Sequence, residues 1–149
     1  YEWVWLLDHF SKLTKTDTQP QIDKLMGFAQ RHGHNSNGLV RDEIRSDGGE
    51  LRSTSRLWCQ TEYLKACIAI WEREPSIVHE EAICEAVEHI FHYYIDPALP
   101  GLWIDQVDKN AKPIQAHSPA STFYHLFLAF SELMRIAPAE SRSTSSSSY

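Results

Sequence analysis

Three short stretches hold side chains whose types and spacing could move a proton or grip a small polar molecule. His125 stands among Phe123, Leu126, Phe127 and Phe130. Histidine titrates near neutral pH, so one imidazole can take a proton and give it back. The same setting also suits a histidine that only fills a core. Trp58 and Glu62 are four apart and share a face if that stretch is helical. An indole can cover the apolar face of a pyranose while Gln60 and Glu62 bond its hydroxyls. A buried Trp beside a helix-end salt bridge fits the same pattern. Glu2 adds a carboxylate beside Trp3 and Trp5, and Ser121 and Tyr124 add hydroxyls close to His125.

Other chemistries are poorly served. The motifs of nucleophilic hydrolases, P-loops and dinucleotide sites (GxSxG, GxxxxGK and GxGxxG) are all absent. His32 and His34 flank Gly33, and His89 and His92 are three apart, yet neither pair has further ligands at a familiar metal spacing. No metal and no cofactor is expected. The net charge of −6 offers no basic face for nucleic acid, and no apolar run is long enough to span a membrane. Cys59, Cys67 and Cys84 form an odd set without CxxC spacing, which suits free thiols and a cytoplasmic location. The chain opens on YEWVW, with neither a signal-peptide pattern nor an initiator Met, and is expected to lack its true amino terminus.

The elements that must position these residues are helices. Apolar residues recur at three- and four-residue steps over 2–13 (Trp3, Leu6, Leu7, Phe10, Leu13) and 20–32 (Ile22, Leu25, Met26, Ala29). Residues 55–74 are apolar on nearly every side from Tyr63 to Trp71, so this helix should be buried. A fourth helix is expected over 76–95 with Ser76 as its cap, and a fifth over 119–136. Between the second and third, residues 38–44 and 50–52 read as a hairpin turning at Asp47-Gly48-Gly49. Residues 102–115 read as an extended loop, or as a second hairpin turning at Lys109-Asn110. The Ser-rich residues 137–149 are expected to be a disordered tail.

Helix pairs without βαβ alternation argue an all-α fold with small β-hairpin insertions, more a toroid than a simple bundle. The first, third and fifth helices carry polar and aromatic residues near their N-termini, while the second and fourth carry ordinary amphipathic stripes. If the odd helices form an inner ring, those N-termini share one rim and their side chains meet in one pocket.

Five blocks then carry a resemblance. Residues 56–66, RLWCQTEYLKA, resemble the RLWPQTE-x-LKA block of the N-acylglucosamine 2-epimerase family. PASTFYH at 119–125 resembles that family's PAST-x-YH, GLW at 101–103 its G-x-W loop, and GLVRDE at 38–43 its GLV-x-DE hairpin. YEWVWLL at 1–7 is similar to the end of its GH-x-x-EW-x-WLL block. The blocks occur in the family's order and cover residues 1 to about 136.

The resemblance implies the C-terminal half of an (α/α)6 barrel over residues 1–136, and a metal-free isomerisation or epimerisation at C2 of a monosaccharide. It implies that His125 is a general acid/base, that Glu2 orients the substrate or a histidine, and that Trp58 stacks on the sugar. Gln60, Glu62 and Ser121 follow as further substrate-binding candidates. The histidine of the H-x-x-E pattern would lie two residues before Tyr1. Cys59 replaces the family's usual Pro. Mannose-to-fructose isomerisation is the favoured reaction, with an N-acylglucosamine 2-epimerase, a mannose-6-phosphate isomerase or a non-catalytic binding toroid as alternatives. A homodimer is a possible assembly. Half a ring exposes its inner faces, so these 149 residues alone are expected to be inactive. A glycosidase would need a second carboxylate opposite Glu62, and none stands out.

Overall fold

The computed structural model describes residues 1–114 and 118–137. The chain builds α1 (Glu2–Thr14), α2 (Gln19–His32), α3 (Leu57–Arg73), α4 (Ile77–Ile90) and α5 (Ala120–Ile136). Two small antiparallel sheets sit between them: β1 (Glu43–Ile44) with β2 (Glu50–Arg52), and β3 (Ser55–Arg56) with β4 (Gln106–Val107).

Helix α3 is the centre of the structure. It packs against α1, α4 and α5, and α2 packs on α1. This places α1, α3 and α5 in one row with α2 and α4 behind, the alternation expected of inner and outer helices. The apolar run of α3 explains its place: eleven of its 17 residues are buried, against two of 13 in α1. Leu57, Leu64 and Ile68 meet Val4, Ile22, Ile83, Ile90 and Leu126 in one continuous core.

Local chemistry sets the helix ends. The Ser76 hydroxyl accepts from the His79 backbone N–H and caps α4. Helix α2 begins one residue before the expected start, with the Asp17 carboxylate accepting from Gln19 N and Pro20 in the first turn. At the opposite end of the inner row, charges tie the three helices together. Lys12 of α1 pairs with Glu72 of α3 at 2.8 Å, Arg73 of α3 with Asp8 of α1 at 2.7 Å, and Arg135 of α5 with Glu72.

Three local readings change. The expected strand over 38–44 is mostly irregular, because Gly38 turns the chain at φ 82° and the Gln60 side chain, not a strand, pairs with the Val40 backbone. The fourth helix does not run regularly to Ile95. A π-helical turn, Phe91–Ile95, takes over and turns Tyr94 inward, where its hydroxyl donates to the Ser55 carbonyl at 3.2 Å. The loop before α5 closes as the hairpin alternative, with Val107 bridging Pro113, and adds an unforeseen pairing of β4 with β3, the lead-in to α3. Its expected turn is present: Asp108 N–H donates to the Lys112 carbonyl, and Ala111 adopts φ 62°. The Ser-rich tail over 138–149 lies outside the described residues. No helix among the described residues is long and apolar enough to cross a membrane.

Candidate active site

The N-terminal ends of α1, α3 and α5 meet at one rim, around two adjoining cavities of about 460 and 270 Å³. Glu2 and Trp58 belong to both. The larger is completed by Arg56, Asp105, Ser121, Thr122, Tyr124 and His125, and the smaller reaches Asp42 and Glu62.

His125 sits in the second turn of α5, and its Nδ1 lies 2.7 Å from Oε1 of Glu62 on α3. A carboxylate only accepts, so Nδ1 carries the hydrogen and, in the neutral ring, Nε2 keeps a lone pair. Among the described residues nothing bonds Nε2. The Trp58 ring lies 5.5 Å from the imidazole, centroid to centroid, and tilted by 35°. The Tyr124 ring lies at 3.9 Å on its own helix. The imidazole is thus oriented by a carboxylate and walled by two aromatic rings.

The lead-in to α3 is fixed by two buried carboxylates. Asp42 accepts from the Arg56 backbone N–H, the Thr54 hydroxyl and the Gln106 amide, each at 2.6 Å. Asp105 accepts from the Thr122 hydroxyl at 2.7 Å, and its carbonyl accepts from Leu57 N. Arg56 lies between them, with Nε 3.7 Å from Asp42 and Nη1 3.5 Å from Asp105. Its positive charge is balanced before any ligand arrives.

The residues singled out from the sequence divide. His125, Glu2, Trp58 and Ser121 line the cavities, Ser121 and Glu2 as exposed side chains. Glu62 borders the smaller cavity but spends Oε1 on His125 and Lys65. Gln60 stands apart, buried and lining neither cavity. Its amide donates to the carbonyls of Val40 and Arg56 and its oxygen accepts from Val40 N, so the buried side chain holds the 38–44 segment with both donors used. Asp42, Asp105 and Thr122 were missed. Thr122 had a signal, since it is three residues before His125 and on the same helical face.

The His32–His34 region has a structural role. His34 Nδ1 faces the Gly38 carbonyl at 2.7 Å, so it carries the hydrogen and Nε2 accepts from the Tyr1 hydroxyl at 2.6 Å. Burial holds this imidazole below its ordinary pKa and keeps it neutral.

Comparison with known proteins agrees with the blocks read from the sequence. The family model described as N-acylglucosamine 2-epimerase (GlcNAc 2-epimerase) matches residues 1–129. The chain belongs to this family. Among solved structures, a crystal structure of D-mannose isomerase superimposes with a TM-score of 0.81 at 21% identity, over 91% of this chain and 36% of that one. The architecture is accordingly that of part of an (α/α)6 barrel. A curated relative, mannose-6-phosphate isomerase of Rhizobium meliloti (strain 1021), is 27% identical over 138 residues, which are 89% of this chain and 35% of the relative. The chain therefore spans about a third of the length of the proteins it matches.

Proposed function

We propose that this family member contributes to the active site of a sugar isomerase that moves a proton between C2 and C1 of an open-chain aldose through a cis-enediol, as in mannose to fructose. One observation carries the reading: His125, held by Glu62 at 2.7 Å, presents a free Nε2 at a cavity walled by Trp58 and lined with hydroxyls and carboxylates.

In this mechanism Nε2 takes the C2 proton while the C1 carbonyl oxygen gains one, which gives the enediol. Return of a proton to C1, with loss of the O2 proton, yields the ketose. Return to the opposite face of C2 yields the epimer, the second reading. Trp58 stacks on the sugar, Glu2 and Ser121 hold its hydroxyls, and Arg56 polarises an oxygen as charge develops on it. Arg56 is already matched by Asp42 and Asp105, which favours an uncharged sugar over a phosphorylated one. A cytoplasmic setting fits the free thiols, and burial pushes the Cys67 thiol up to about 12, well out of the reactive range.

The test is NMR of mannose and N-acetylmannosamine in D2O with the full-length protein and its His125→Ala variant. Fructose formed with deuterium uptake, and lost at least 10²-fold in the variant, is the expected result. N-acetylglucosamine as the product would move the reaction to the epimerase. No exchange from either sugar would overturn both readings.

A further inference from the structure

Lys65 is a buried charge that the mechanism above leaves unused. It lines neither cavity, yet its Nζ lies 2.9 Å from Oε1 of Glu62, the same oxygen that His125 Nδ1 reaches at 2.7 Å. The Lys65 and Glu62 side chains are each 3% exposed. The ammonium is closed off by the Trp5 ring, 4.3 Å from its centroid. The other Glu62 oxygen is buried with no partner among the described residues. Two cations would therefore compete for one oxygen if the imidazole were protonated.

A carboxylate alone against an imidazole draws a proton onto the ring, and an imidazolium has no lone pair with which to take another. We propose that Lys65 is a positioning residue: by occupying the Glu62 oxygen that holds His125, its ammonium cancels the carboxylate charge and keeps the imidazole available as a base. With Lys65 present the trio is neutral when the ring is neutral. Without it the trio carries −1, which a proton on the ring would cancel. The low polarity around the trio enlarges this effect. Other charged or titratable groups face the trio from each side. These are Glu2 from α1, Tyr124 from α5, and Asp42 and Asp105 with Arg56 between them from the loops. None of these places a second cation on Glu62.

The proposal rests on the assignment of His125 as the proton-transferring group, and its test separates the two. In the full-length protein, kcat/KM for the converted sugar is followed over about pH 5 to 9, alongside the ¹⁵N NMR titration of the His125 ring. In Lys65→Met the acid limb and the ring titration both move up by about 1 pH unit, with activity recovered at high pH. Lys65→Arg keeps both near the wild-type position. Breaking a buried pair can prevent folding, so Glu62→Gln/Lys65→Met, which leaves neither charge unpaired, is also measured. There the carboxylate is gone with the ammonium, and limb and titration stay near the wild-type position. A ring titration unmoved in Lys65→Met, one raised as far in the double variant, or a loss of activity equal at every pH, overturns the proposal. A ring titration that moves while no sugar is converted leaves Lys65 in its role and overturns the substrate reading instead.

Discussion

Thr122 on α5 donates its hydroxyl to Asp105 at 2.7 Å, with both side chains buried. This bond locks the first turn of α5 to the strand that pairs with the lead-in of α3, so the helix bearing His125 and the segment bearing Arg56 are set against each other. Replacing Thr122 by Val keeps the volume and removes the donor. Asp105 then keeps only the longer contact to Arg56, and the loss is about 1–3 kcal/mol. Chemical denaturation should show that loss, and kcat should fall more than KM rises, because a misplaced imidazole affects the reacting geometry first.

Gln60→Leu separates a holding role from a binding one. The Val40 N–H and carbonyl, both bonded to the Gln60 side chain, would be left buried and unpaired. The expected cost is about 1–3 kcal/mol for each group left unpaired, seen as a lower Tm. Below the melting range KM should stay within about two-fold of wild type; a selective rise in KM would return Gln60 to the substrate site.

Trp58→Ala tests stacking. Trp58 borders both cavities and packs near His125. Loss of the ring should raise KM about ten-fold, or ~1.4 kcal/mol, with a smaller change in kcat. Steady-state kinetics on the converted sugar would read the split.

Acid should loosen the far end of the inner row. Hydrogen bonds from Arg135, with Lys12 alongside, hold Glu72 down from 4.5 to about 2. A carboxyl depressed in the folded state stabilises fully above its unfolded pKa and loses that contribution as pH falls through the folded value. The window therefore runs from about pH 5 down to about pH 2. Glu72→Gln should be less stable than wild type at neutral pH by on the order of 1 kcal/mol, reduced by solvent screening. The difference should vanish by about pH 2. Urea denaturation at several pH values would measure it, and a gap that persists at low pH would refute it.

Much of the fold was legible because helical periodicity is local. The stripe of Trp3, Leu6, Leu7 and Phe10, the all-round apolar run of α3 and the Ser76 cap each act within a few turns, so type and order of the helices follow from the sequence. The alternation of polar N-termini on odd helices gave the rim. The four-residue spacing of Trp58 and Glu62 gave their shared face.

What only the tertiary structure decided depends on contacts between distant residues. Gln60 is a plausible sugar ligand by type and becomes a stand-in strand partner because Val40, 20 residues earlier, needs one. The β3–β4 pairing joins segments about 50 residues apart and has no local signature. Asp42 and Asp105 are ordinary loop carboxylates until folding buries them on either side of Arg56. Glu62 and His125 are 63 residues apart, and the sequence named both without joining them. Residue type and periodicity fix which groups are available and how each helix turns. The pairing of one buried polar group with another is set when the helices pack, since burial makes each seek the partner that the fold places within reach.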